Sequence, residues 1–178
     1  SEDGVVSGLQ FRVTGNGIDK IYTTDSKGQI TNTLPAGTYT VTEVNTPGRY
    51  NTPASQSITV PDGGTATVTF SNTLKKGYVE IYKSDTTTGG PLAGAVFGIY
   101  NSANIRFGEL KTNVDGYAKS GLLPYGDGYY LLEEKAPEGY VLDTTKHYFN
   151  IRTNGQTITI RTNNQSQMGQ ITVQKNDG

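Results

Sequence analysis

At 178 residues, with 33% hydrophobic and only 17% charged residues, the chain is long enough for two small domains and too uncharged for a disordered chain. A net charge of −1 without a basic cluster argues against nucleic-acid binding, and no apolar run is long enough to span a membrane. Cysteine is absent, which excludes disulfide bonds and thiolate metal sites, and the sequence predicts no metal and no cofactor.

Residues 1–74 have the pattern of short strands separated by turns. Strands are expected over residues 9–13, 18–23, 38–45, 56–60 and 65–71. Clusters of Gly, Pro, Asn and Asp lie between these segments and mark the turns. No window has apolar residues at helical spacing, so the first half is predicted to be all-β.

The second half repeats the landmarks of the first half in the same order. Residues 8–13 return as residues 94–99, residues 34–35 return as residues 123–124, and Asn72 returns as Asn164. Such a repeat indicates two homologous domains, over residues 1–74 and 77–166. About seven short strands in each domain predict tandem β-sandwiches of the Ig-like kind.

A third unit is expected over residues 169–178, because residues 170–175 repeat the pattern of residues 78–83. The first domain, in contrast, begins at its second strand, since nothing before Gly8 matches residues 79–83. Two interpretations fit. Either the sequence is cut from a longer array at the same place in successive repeats, or the C-terminal strand of one molecule completes the first domain of another.

Several of the predicted strands have one apolar face, and the last residue on that face is polar. Because successive side chains of a strand point to opposite sides, Lys83, Glu133 and Asn164 each share a face with the apolar residues that precede them. In the first domain, Glu43 and Asn72 hold the matching positions. Each domain type is therefore predicted to aim one lysine, one glutamate and one asparagine at its interior.

A buried set of this composition can react. Burial lowers the pKa of a lysine and raises that of a carboxyl group, so that a neutral amine becomes accessible. A neutral amine is a nucleophile, and a protonated carboxyl group can polarise the asparagine carbonyl and transfer protons. The expected product is a Lys–Asn isopeptide bond, formed once per molecule with loss of ammonia. The alternative interpretation is a buried ion pair capped by an amide.

The same residues lie in three motifs that resemble the CnaB domain, also called SpaA-type or prealbumin-like. The motifs are Gly77-x-Val79-x-Ile81-x-Lys83-x-Asp85, Pro91-Leu92-Ala93-Gly94-Ala95-x-Phe97-x-Ile99-Tyr100 and Tyr129-x-Leu131-x-Glu133-x-x-Ala136-Pro137-x-Gly139-Tyr140. Domains of this type build the stalks of Gram-positive surface adhesins and pilins. The resemblance implies a crosslink between Lys83 and Asn164 that is promoted by Glu133, with Glu43 in the matching role in the first domain.

Two questions stay open in the sequence. Asn163 and Asn164 are both candidates for the crosslink, and strand alternation from Ile160 favours Asn164. The first domain has Glu43 and Asn72 but no lysine at the matching place. It is therefore predicted to be either without a crosslink or bonded through Asn72 to Lys175 of a neighbouring molecule.

The functional hypothesis is a stalk or spacer of an adhesin or pilin, and not an enzyme that acts on an external substrate. The expected location is the bacterial cell surface, within a cell-wall-anchored parent protein. Expected partners are neighbouring repeats and, through the C-terminal strand, a second copy of the chain. The alternative is a module that binds a host protein or glycan, for which Tyr125, Tyr129 and Tyr130 are candidate residues.

Overall fold

A computed structural model describes residues 1–177, and strands joined by turns are its only regular elements. The all-β prediction is therefore confirmed. Nothing in this part of the chain is a helix long and apolar enough to cross a membrane. The chain divides into two compact units between Lys75 and Lys76.

The first unit is built on one four-stranded antiparallel sheet in the order β2-β1-β3-β5, with β4 and β6 forming a separate pair. Its strands are β1 (Gln10–Gly15), β2 (Ile18–Thr23), β3 (Gly37–Val44), β4 (Tyr50–Asn51), β5 (Gln56–Val60) and β6 (Thr73–Leu74). Alternate residues of β1 and β3 face a core that includes Phe11, Val13, Tyr39 and Val41. One face of the sheet is thus apolar, as its period-two pattern requires.

The second unit has two sheets that enclose one core. Its strands are β7 (Lys76–Asp85), β8 (Val96–Tyr100), β9 (Arg106–Lys111), β10 (Tyr117–Lys119), β11 (Leu123–Pro124), β12 (Gly126–Lys135), β13 (His147–Ile151) and β14 (Thr157–Asn164). One sheet has the order β13-β12-β8-β9, and the other is organised around β7. Short strands β10 and β11 pair with β7 in antiparallel fashion, while β14 runs parallel to β7 over its whole length.

The described residues of the first unit include no equivalent of the parallel pair of β7 and β14. Residues 65–71, predicted as a strand, are not part of any strand in the structure. The strand of the second unit that corresponds to residues 65–71 is β14, and β14 pairs only with β7 among the described strands. The described residues of the first unit include no strand in the place of β7. An extended segment without a hydrogen-bonding partner does not become part of a sheet.

The predicted third unit has no strand structure over its described part, residues 169–177, and Gly178 lies outside the described residues. Ile171 and Val173 are 89% and 85% exposed there. This segment thus has the sequence pattern of a buried strand, but its apolar side chains are exposed in the described part of the chain.

Candidate functional site

Strand β7 carries Lys83 into the interior of the second unit. Val79 and Ile81, on the same face, are fully buried, and the Lys83 side chain is itself 0% exposed. The strand is held at this point by the Lys83 amide, which donates to the Gly116 carbonyl at 2.7 Å. Gly116 has a φ of +70°, and a Cβ atom there would lie 2.3 Å from the Lys83 carbonyl oxygen. Only glycine fits this close approach.

Glu133 reaches the lysine from the opposite sheet. It lies near the end of β12, where an irregularity in the pairing with β8 follows it, and its side chain is 0% exposed. Its Oε1 atom is 3.4 Å from Lys83 Nζ. The ring of Phe97 lies 5.2 Å from the same ammonium group and closes the site on the apolar side.

Asn164 completes the set from the end of β14. It is 2% exposed, and its Nδ2 atom donates to Glu133 Oε2 and to the Val141 carbonyl, both at 2.8 Å. Asn163 is exposed, and its Oδ1 atom accepts a hydrogen bond from Thr86 outside the site. The structure therefore brings Lys83, Glu133 and Asn164 together, with one carboxylate oxygen toward the amine and the other toward the amide.

The surroundings of Lys83 shift its protonation equilibrium toward the neutral amine. Burial lowers the pKa of Lys83, and the nearby charges of Glu133 and Asp143 offset only part of this effect. Nζ is also within hydrogen-bonding distance of Thr162 Oγ1, at 3.3 Å, and of the Asn163 carbonyl, at 3.2 Å. These two acceptors hold the amine in place beside the carboxylate.

Two oxygen atoms of the site accept no hydrogen bond within the described part of the chain, although both are buried. They are Glu133 Oε1 and Asn164 Oδ1. Leaving a buried polar group unsatisfied costs about 1–3 kcal/mol. The charge of Lys83 Nζ, 3.4 Å away, compensates Glu133 Oε1, so this penalty falls on Asn164 Oδ1, which belongs to the carboxamide that a Lys–Asn condensation would change.

Asp143 is a part of the site that sequence reasoning missed. Its backbone amide donates to Glu133 Oε2 at 2.7 Å, and its own Oδ2 atom lies 2.8 Å from His147 Nε2 and 3.3 Å from Thr162 Oγ1. Burial raises the pKa of Asp143, but hydrogen bonds led by that from the Thr145 amide lower it to about 2. Asp143 is thus negatively charged at neutral pH. It lies in the loop between β12 and β13, where no strand periodicity marks it.

Comparison with known proteins places this architecture in a family. The sequence profile of SpaA, described as a prealbumin-like fold domain, matches residues 1–74 and 77–166. The chain belongs to this family. The resemblance seen in the sequence is thereby confirmed, and each compact unit contains one SpaA domain.

The individual relatives are longer proteins than this chain. The trypsin-resistant surface T6 protein of Streptococcus pyogenes serotype M6 is 37% identical over 94 residues, which are 53% of this chain and 17% of that protein. The TIE protein of Bacillus anthracis superposes with a TM-score of 0.82 and 34% identity, over 91% of this chain and 31% of that one. This chain therefore spans less than a third of either relative.

A solved fragment of another protein has the same fold. The C-terminal fragment of the pilus adhesin SpaC from Lactobacillus rhamnosus GG superposes with a TM-score of 0.63 at 18% identity, over 92% of both chains. At this level of identity the likeness concerns the fold alone.

The first SpaA domain contains two of the three residues of the same site, the glutamate and the asparagine. Asn72 Nδ2 donates to Glu43 Oε2 at 2.7 Å, and both residues are 3% exposed. Glu43 Oε1 is buried and accepts no hydrogen bond from the described residues. No lysine pairs with this carboxylate in residues 1–177. The glutamate and asparagine predicted from the sequence are thus together, without a lysine from the described residues beside them.

Tyr129, one of the tyrosines considered for ligand binding, is instead part of the core. It is 3% exposed, stacks on Phe149 and donates to the Pro124 carbonyl. Its neighbour Tyr130 points to the other face of the sheet and stacks on Tyr100, with centroids 4.9 Å apart.

Proposed function

We propose that this chain is a structural spacer of a bacterial surface protein, whose second SpaA domain is locked by a self-formed isopeptide bond between Lys83 and Asn164. One observation carries the proposal. The two oxygens of the buried Glu133 carboxylate contact the amine at 3.4 Å and the amide nitrogen at 2.8 Å. An ion pair alone does not need a buried carboxamide on the second oxygen, whereas the condensation reaction does.

The reaction needs no component beyond these three side chains. Neutral Lys83 Nζ attacks Cγ of Asn164, a C–N bond forms, and the Cγ–Nδ2 bond breaks. Glu133 takes a proton from Nζ and delivers one to Nδ2, which leaves as ammonia. Because the fold already holds the groups together, the step is effectively unimolecular, which favours it by several orders of magnitude over a bimolecular encounter. The chain acts on itself and on no external substrate.

The bond would join the first strand of the domain to its last strand. It closes a loop of about eighty residues, and the chain-entropy estimate for such a closure is about 4–5 kcal/mol of stability. Pulling force would then pass through the covalent bond from β7 to β14, and the hydrogen bonds of the sheets would not bear it. A tether under shear needs this property, and a chain without cysteine has no disulfide to supply it.

The proposed location is the exterior of a Gram-positive cell, within a larger cell-wall-anchored protein. The support comes from the T6 relative, whose name describes a surface protein of Streptococcus pyogenes. Neighbouring SpaA domains of the same parent protein are the expected partners of both ends.

The mass of the intact chain tests the proposal. One bond in the second domain is expected to lower the mass of the folded protein by one ammonia, about 17 Da. After digestion, fragments that contain Lys83 and Asn164 should be found as one branched peptide. A chain with the full sequence mass, and no such peptide, would rule out the bond.

Replacing Asp143 tests the electrostatic part of the mechanism. Because the Asp143 charge raises the pKa of Lys83, Asp143→Asn is expected to increase the neutral fraction of the amine and to speed bond formation. The rate is followed by mass spectrometry during cell-free synthesis. Asp127→Asn, which removes an exposed carboxylate paired with Arg152, is the matched control and should leave the rate unchanged. Slower bond formation in Asp143→Asn alone would contradict this assignment.

A second candidate function is the binding of a host protein or glycan by the second domain. The observation in its favour is a row of Tyr100, Tyr130 and Tyr148 on the outer face of the sheet, where Tyr148 is 65% exposed. Lys146 Nζ lies 4.8 Å from the Tyr130 ring. Binding on a glycan array that Tyr148→Ala abolishes would support this function, and an array without signal would oppose it for glycans.

A further inference from the structure

The chain contains two Asn-Gly pairs, Asn16-Gly17 and Asn154-Gly155, and this dipeptide has a reactivity of its own. The backbone nitrogen that follows an asparagine can attack the side-chain carbonyl carbon and close a five-membered imide ring. A side chain on the following residue hinders this approach, and glycine has none. All four residues are exposed, so exposure does not distinguish the two pairs.

The Asn154-Gly155 pair is held by hydrogen bonds to the first residue of β7. The Gly155 amide donates to the Lys76 carbonyl at 2.8 Å, and Asn154 Oδ1 accepts from the Lys76 amide at 3.1 Å. The Gln156 amide also donates to the Thr153 carbonyl at 3.1 Å, which closes the turn around the pair. The attacking nitrogen and the carboxamide are therefore both engaged, and both hydrogen bonds must open before the ring can close.

The Asn16-Gly17 pair lacks this protection. It is the two-residue connection of the β1–β2 hairpin, in which Gly15 and Ile18 are the last paired residues. Its φ angles are +50° at Asn16 and +76° at Gly17, as a tight two-residue hairpin turn requires. Within residues 1–177, the Gly17 amide donates no hydrogen bond and Asn16 Oδ1 accepts none.

The hydrogen bonds that Asn16 does make involve its amide nitrogen, the group that ring closure expels. Asn16 Nδ2 donates to the Ala36 carbonyl at 3.4 Å and to the Tyr39 hydroxyl at 3.3 Å. Both distances exceed the usual length of such a bond, so they restrain the side chain only weakly. They nevertheless connect the tip of the hairpin to the start of β3, where Tyr39 is 1% exposed and part of the core.

We propose that Asn16 is a site of spontaneous, age-dependent modification in this protein, and that its fold protects Asn154 from the same reaction. The Gly17 nitrogen loses its proton to solvent base and attacks Cγ of Asn16. The N–Cγ bond forms, the Cγ–Nδ2 bond breaks, and the departing nitrogen takes up a proton and leaves as ammonia. Water then opens the imide at one of its two carbonyls, which gives an aspartate or an isoaspartate.

The reaction would weaken the first domain at this hairpin. Either product has a carboxylate in place of the amide, so the donor to the Ala36 carbonyl and the Tyr39 hydroxyl is lost. In isoaspartate the main chain also runs through the former side chain, which lengthens the tight turn between β1 and β2. This inference does not depend on the chemistry proposed for the second domain.

Peptide mapping by mass spectrometry after incubation of the folded 178-residue chain at mildly alkaline pH tests the inference. Trypsin releases Asn16 in fragment 13–20 and Asn154 in fragment 153–161. Because two hydrogen bonds must open first at Asn154, fragment 13–20 is expected to gain about 1 Da at least about tenfold faster than fragment 153–161. In chain kept unfolded by denaturant, the two fragments should react at similar rates, since the dipeptides are the same.

Asn16→Gln is the matched variant, because glutamine keeps the amide but would have to close a larger ring. Its fragment 13–20 should stay unmodified, while its fragment 153–161 behaves as in the parent chain. Equal rates at the two sites of the folded chain, or a faster reaction at Asn154, would overturn the inference. A rate difference of the same size in the unfolded chain also overturns it, because neighbouring residues and not the fold would then be the cause.

Calorimetry of the same samples tests the structural consequence. The first domain of the aged chain should unfold at a lower temperature than that of the fresh chain, and aged Asn16→Gln should show no such change. A chain that is modified at Asn16 but unfolds as the fresh chain does overturns the claim that the hairpin is weakened. The imide also lacks one ammonia, but it lies in fragment 13–20, which contains neither Lys83 nor Asn164. The peptide map therefore separates this reaction from the proposed isopeptide bond.

Discussion

Lys83→Ala is expected to lower the unfolding temperature of the second SpaA domain by on the order of 20 °C, because the variant loses a loop closure of about 4–5 kcal/mol. Truncating this fully buried side chain adds to the loss. Scanning calorimetry of the full chain measures the effect, with the first domain as an internal reference. Lys111→Ala, on an exposed position of β9, is the control and should change little.

A second variant separates the bond from the ion pair. Asn164→Ala keeps Lys83 and Glu133 together but has no carboxamide for the reaction, so its unfolding temperature should fall by most of the same amount. If Lys83→Ala destabilises the domain and Asn164→Ala does not, the stability comes from the ion pair, and the isopeptide proposal fails.

Glu133→Gln is expected to leave a folded second domain in which the bond forms at least about a hundredfold more slowly, because the proton carrier is gone. The glutamine oxygen can still accept the hydrogen bonds that Asn164 Nδ2 and the Asp143 amide donate to the carboxylate. The geometry of the site is therefore largely retained while its acid–base chemistry is lost. The intact mass should exceed that of the parent protein, after correction for the substitution, by one ammonia.

The neighbouring residue provides the matched control for this experiment. Glu134 lies on the other face of β12 and pairs with Arg106 at 2.6 Å, outside the site. Glu134→Gln should form the bond as the parent chain does. Normal bond formation in Glu133→Gln would show that the carboxyl group does not transfer the protons.

Much of the site could be predicted from the sequence because it lies on strands. The pleat places every second side chain on one face, so a polar residue at the end of an apolar face must point inward. This rule selected Glu133, and it preferred Asn164 to the exposed Asn163. The internal repeat then showed which of these positions the first domain shares.

The rest of the site depends on loops and pairing that have no period in the sequence. Asp143 reaches the carboxylate because the connection between β12 and β13 folds back over the end of β14, and no local pattern marks that path. Residues 65–71 have the composition of a strand but lack strand pairing, since a β-strand exists only with a partner. The composition of residues 65–71 does not show whether they have a partner, although the repeat had already indicated that nothing before Gly8 matches residues 79–83.

The sequence by itself therefore determined the all-β class, the two repeated domains and the inward direction of the lysine, glutamate and asparagine. These follow from alternation and repetition, which are properties of neighbouring residues along the chain. Only the tertiary structure decided that Lys83 and Glu133, from different sheets, lie 3.4 Å apart, and that Asn164 of β14 donates to the second oxygen of the same carboxylate. Both depend on which strands meet in space, and that is settled by packing between residues far apart in the chain.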